Sequence, residues 1–131
     1  MEWAKEAALL AGWIGMLLGV ISGAIIGLYF HREEWMGGYG SFRRRLTRLG
    51  HIAFFGLGFV NLMFAFTINA HPIADGPAKF AATMLIAGLC TMSLCCFLTA
   101  WKKVPFRHFF FIPVGTTGAG IVTLLLSWNS A

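Results

Sequence analysis

Four long runs of the chain carry no charged side chain: residues 7–30, 50–70, 80–101 and 109–128, with polar or charged segments between them. Within each run the apolar residues fill the helical wheel instead of one stripe, as in a helix surrounded by hydrocarbon. Each run approaches or exceeds the roughly 20 residues that cross a ~30 Å apolar core at 1.5 Å per residue. The pattern predicts one all-α integral membrane domain over 1–131, with helices at about 7–30, 47–70, 79–101 and 108–128. No run alternates with period two, and open strand edges find no partner in lipid, so barrels and sheets are set aside. The first run is too long for a signal-peptide core and is followed by HREE, not a small-residue cleavage site, so it is expected to remain as an anchor.

The separating segments set the topology. NAHPIADGPAK and KKVPFR are short, and their prolines and glycine turn the chain. Short links favour antiparallel neighbours, hence an up-down four-helix bundle. The first connection, residues 31–46, is the longest, and Trp35, Tyr39 and Phe42 suit the headgroup zone, so it is expected to lie along the inner face. Pro113 either sits in the first turn of a fourth helix starting near residue 112 or kinks one starting near residue 107.

Composition agrees: 58% of residues are hydrophobic and 11% charged, outside the range of soluble domains. The formal net charge of +5 is explained by its distribution. Arg32, Arg43, Arg44, Arg45, Arg48, Lys102, Lys103 and Arg107 belong to the first and third connections, and only Lys5 and Lys79 lie on the other side. The positive-inside rule then puts those connections in the cytoplasm and both termini outside, most simply in a bacterial inner membrane. Anionic headgroups account for the basic residues, and nucleic acid is not expected as a partner.

Candidate chemistry is sparse. Gly15, Gly19, Gly23, Gly27 and His31 recur every four residues along one broad side of the first helix. Small-xxx-small spacing lets another helix approach closely. A side-chain-free groove also suits a flat ring. On the second helix Arg44, His51, Phe55, Gly58 and Leu62 share a face, and His31, His51 and His108 all belong to cytoplasmic helix ends. These residues suggest a b-type haem: His51 as axial ligand with His108 or His31 opposite, Gly23, Gly27 and Gly58 making room, and Arg44 and Arg48 meeting the propionates. The metal ligands of that arrangement are His51 and His108.

The remaining polar residues read as structural. Asn61, amid an apolar run, is expected to hydrogen-bond a neighbouring helix. The rows Thr116, Gly120, Thr123, Ser127 and Ala81, Gly88, Thr91, Cys95 suggest interhelical contact. Cys90, Cys95 and Cys96 point apart on one helix and read as packing residues. His71 and Asp75 are expected to be solvated. No intramembrane acid or base lines a path, which ranks a transporter or channel last, and no nucleophile with a positioned base indicates an enzyme. The expected function is a small subunit of membrane electron transfer. The alternative is a cofactor-free accessory or scaffold subunit docking on other membrane subunits, or on its own copy, through the glycine-striped helix.

Overall fold

A computed structural model describes residues 1–102 and 105–129, without the side chains of 105–107. The described residues form four long helices and no strand: α1 (Glu2–Phe30), α2 (Phe42–Ala70), α3 (Asp75–Lys102) and α4 (Phe111–Leu126). Short 3-10 turns occupy Trp35–Gly37 and Pro105–Phe110. All four helices are long and apolar enough to cross a membrane, the last counted from His108. The chain is a multi-pass membrane protein by this architecture.

The helices reach beyond the apolar runs. The RRRLTR segment winds as the opening turns of α2, because Arg and Leu are good helix formers and Ser41 caps the helix, its Oγ accepting the Arg44 N–H at 3.2 Å. The first connection is therefore 31–41, shorter than expected, and the arginine cluster rides on a rigid element. α4 starts at Phe111, which puts Pro113 in its first turn, where a missing N–H costs nothing. Lys103 and the Arg107 side chain, counted above among the basic residues, lie outside the described residues.

Packing follows chain order. α1 lies on α2, α2 on α3 and α3 on α4, with a lesser contact between α1 and α3. α4 makes no comparable contact with α1 or α2, so α3 is the central helix and α4 flanks it. Small residues set these approaches, as expected where lipid offers helices no hydrophobic reason to associate. A Cβ on Gly12 would lie 2.9 Å from Gly58 O, and one on Gly120 would lie 3.1 Å from Ala81 O. Gly88 is covered by Thr117 in the same seam as Gly120, so the two small-residue rows do meet there. Asn61 is fully buried and bridges helices, its Nδ2 donating to Leu57 O at 2.9 Å and to Leu85 O of α3 at 3.3 Å.

The two ends of the bundle differ in charge. At the end holding Met1 and the α2–α3 turn, the Met1 amine and Lys79 both engage Asp75, and Lys5 pairs with Glu2. His71 is tied down there, contrary to the solvated reading: its ring stacks on Trp128 at 4.5 Å and its Nε2–H donates to Trp128 O at 2.7 Å. The opposite end, with residues 31–48 and Lys102, is the basic end. Among the described residues it contains no ion pair.

Candidate functional site at the basic end

The glycine face of α1 is closed by α2. Leu62 lies over Gly12, the Gly58 backbone against Gly15, the Phe55 ring over Gly19 and the His51 imidazole over Gly23. A Cβ on Gly19 would come within 2.7 Å of Phe55 Cε2, and one on Gly23 within 2.6 Å of His51 Cε1. The two stripes read from the sequence are thus the two halves of one seam. This corrects the roles given to Gly23 and Gly58: the room they provide is taken by side chains and backbone of the same chain. Gly27 alone has nothing within 4 Å of its missing Cβ. From Gly12 to Gly23 the stripe packs on α2 of the same chain, and its end at Gly27 is left open.

His51 is held in this seam and partly buried. Ser22 Oγ lies 3.1 Å from Gly19 O, to which it donates, and 3.1 Å from His51 Nδ1, where the direction of the bond follows the tautomer of the ring. Phe55 meets the imidazole edge-on at 5.3 Å. The other two histidines stand elsewhere. His31 is the exposed residue capping the C-terminus of α1, and His108 is exposed on the Pro105–Phe110 turn, which packs on α3 and α4. The sequence pairs His51 with His108 or His31; the structure holds His51 in the α1–α2 seam and leaves the other two exposed. Among the described residues no cluster of three or more His, Cys, Asp or Glu is arranged to hold a metal ion.

Arg44 has a different task from the one expected. It is only 1% exposed, and its guanidinium donates to Phe30 O at 2.7 Å and to Glu33 O at 3.3 Å. α1 has no basic residue in its own last turn, so Arg44 of α2 supplies the positive charge that its C-terminal carbonyls attract. Phe30, Tyr39 and Trp35 surround the guanidinium at 4.5, 5.0 and 5.6 Å, a desolvated cation–π cage. Arg48 stacks on the same Tyr39 at 5.2 Å. The first connection is thus wrapped around Arg44, and propionates would find that side chain already engaged.

Beside this cage opens a cleft the sequence reading missed. It holds about 380 Å³ between α1, α2 and α3, with Ile25 and Ile26 on one wall, Phe97, Ala100 and Trp101 on the other, and Trp35 and Met36 as roof. Its two hydroxyls are turned to the main chain: Ser22 as above, and Thr47 Oγ1 donating to Arg43 O at 3.0 Å. Trp101 and Ile25 are 77% and 53% exposed, so the cleft opens on the outer surface of the bundle. Met36 in the roof has φ 57°, ψ 26°, a left-handed conformation that costs an L side chain about 1–2 kcal/mol. The conformation is held by Ser41 Oγ donating to Met36 O at 2.8 Å, and Thr47 Oγ1 packs 3.4 Å from Met36 Sδ. The WMGGY run was the available signal, since two glycines after an aromatic–Met pair mark a tight, positive-φ turn.

No known protein family, curated protein or solved structure matches this chain.

Proposed function

We propose that this is a multi-pass protein of a bacterial inner membrane, basic end in the cytoplasm and both termini outside, that takes a lipophilic molecule from the bilayer into the cleft at the basic end. The orientation rests on the excess of arginine and lysine at that end. The cleft carries the functional reading. Its volume of about 380 Å³ falls within the range of small-molecule sites, roughly 300–1,000 Å³. Ser22 and Thr47 are the two hydroxyls in a lining otherwise made of aliphatic, aromatic and thioether side chains, so the lining selects chiefly by shape and dispersion. A strained Met36 in the roof supports the assignment, because such backbone persists where the surroundings over-determine it, often at ligand clamps. Native mass spectrometry of the detergent-extracted protein tests it: a retained lipophile should be lost in Ile25→Phe, which fills the mouth from a half-exposed position. A bare protein in gently extracted samples contradicts the reading.

A b-type haem on His51, and with it a part in membrane electron transfer, is the second reading. What favours it is the Ser22 contact at Nδ1, which orients the imidazole through the ring nitrogen opposite Nε2, as a polar partner does for a ligating histidine. The folded residues do not fit a macrocycle at Gly23 and Gly58, so His51 would first have to leave its seat. Protein from haem-replete cells is expected to show no Soret band. A band that disappears in His51→Ala would restore this reading.

A further inference from the structure

The cleft and the charge of its rim together specify the kind of molecule that enters it. Arg43 crosses from α2 to the last turn of α3, its Nε donating to Ala100 O at 2.8 Å. Both Ala100 and Thr47, which bonds the Arg43 carbonyl, line the cleft, so the guanidinium stands at its edge. Lys102 follows the lining residue Trp101 and is exposed. Apart from the caged Arg44, this end of the chain carries Arg32, Arg43, Arg45, Arg48 and Lys102 against Glu33 and Glu34, and among the described residues no carboxylate pairs with any of these cations. An apolar cleft with an unneutralised basic rim complements an amphiphile with an anionic head.

We infer that the cleft seats an acyl chain of an anionic phospholipid whose phosphate is held at the rim by Arg43 and Lys102, an inference that rests on the lipophile-binding reading above. A hydrocarbon chain asks no hydrogen bond of the lining, whose two hydroxyls each meet a main-chain carbonyl, whereas a neutral ring carrier would leave the basic rim without a counter-charge. The guanidinium of Arg43 keeps its terminal nitrogens for a phosphate, since only Nε is engaged by a described residue. Basic side chains at the membrane surface attract anionic headgroups with about 1 kcal/mol each.

The test uses the full chain with Trp35 as its sole tryptophan (Trp3, Trp13, Trp101 and Trp128 replaced by phenylalanine). It is reconstituted in phosphatidylcholine vesicles doped with chain-brominated phosphatidylglycerol or chain-brominated phosphatidylcholine. Bromine quenches Trp35 when the chain occupies the cleft beneath it. Half-quenching is expected at a mole fraction of brominated phosphatidylglycerol about tenfold lower than of brominated phosphatidylcholine. Arg43→Gln should erase most of that difference, and Ile25→Phe should weaken quenching by both. Equal quenching by the two headgroups, lost in Ile25→Phe, overturns the anionic assignment and leaves the lipophile cleft standing. Quenching that Ile25→Phe does not change, whatever the headgroup, overturns both. Circular dichroism of each variant verifies folding before the comparison, and Arg43→Lys, which keeps the charge, should retain most of the headgroup preference.

Discussion

Substituting alanine for Gly12 should force α1 and α2 apart. The added methyl would sit 2.6 Å from Leu62 Cγ and 2.9 Å from the Gly58 carbonyl oxygen, and the second neighbour is backbone, which cannot rotate away. Overpacking of this kind costs about 1–3 kcal/mol. Helix propensity returns up to about 1 kcal/mol, because alanine is the better helix former. With the full return the net expectation is a loss of up to about 2 kcal/mol relative to Gly12, and a larger one relative to a site where alanine fits. Gly58→Ala meets the same seam from the other side, with Gly12 O 3.0 Å from its Cβ, and should cost a similar amount. Since either methyl already separates the helices, the double variant should lose less than the two single losses together. Gly27→Ala is the control: with nothing within 4 Å it should be neutral or slightly stabilising. Unfolding by dodecyl sulfate in mixed micelles, followed by circular dichroism, gives the four stabilities. If Gly12→Ala proves as harmless as Gly27→Ala, the seam described between α1 and α2 is wrong.

The same unfolding assay reads substitutions at four further residues. Arg44→Gln should lose about 2–3 kcal/mol, as charge-assisted bonds to Phe30 O of α1 and Glu33 O of the first connection disappear, and Arg44→Lys should not rescue it because a single ammonium cannot reproduce the fork onto both carbonyls. Exposed Arg45→Gln, by contrast, should change stability by no more than about 0.5 kcal/mol. Met36→Gly should gain about 1 kcal/mol by relieving the left-handed backbone, while giving up the Thr47 contact that helps roof the cleft. Asn61→Ala should cost about 0.6–2 kcal/mol through the bond to Leu85 O.

What the sequence made legible was whatever depends on local pattern. Uncharged runs of about 20 residues announce the helices, and the four-residue glycine spacing on α1 announces a close approach. The matching face of α2, from Arg44 through His51 to Leu62, was legible for the same reason. What pattern alone does not contain is which faces meet. Read separately, a bare groove and a row with an imidazole suggest an empty slot and a ligand; packed together, Phe55 and His51 are what fill the slot at Gly19 and Gly23. Charge near an apolar run suggests a headgroup partner for Arg44, whereas the end of α1, with no basic residue in its own last turn, offers carbonyls closer at hand. The cleft could not be seen at all, since Ile25, Met36, Thr47 and Trp101 come from four separate segments. Its one local trace was the glycine pair after Met36.

The central claim is that the glycine face of α1 is covered by α2 of the same chain. In a background with Cys90, Cys95 and Cys96 replaced by alanine, Gly12→Cys and Leu62→Cys can be introduced together and oxidised in native membranes. A Cβ on Gly12 would lie 2.6 Å from Leu62 Cγ, one bond from the Leu62 Cβ, which brings the two Cβ atoms near the roughly 3.5–4.5 Å a disulfide spans. The expected product is an intramolecular disulfide in most of the protein, with the single Gly12→Cys variant staying monomeric. No intramolecular link, together with ready dimerisation of the single variant, would show the glycine face open to another chain and contradict the account.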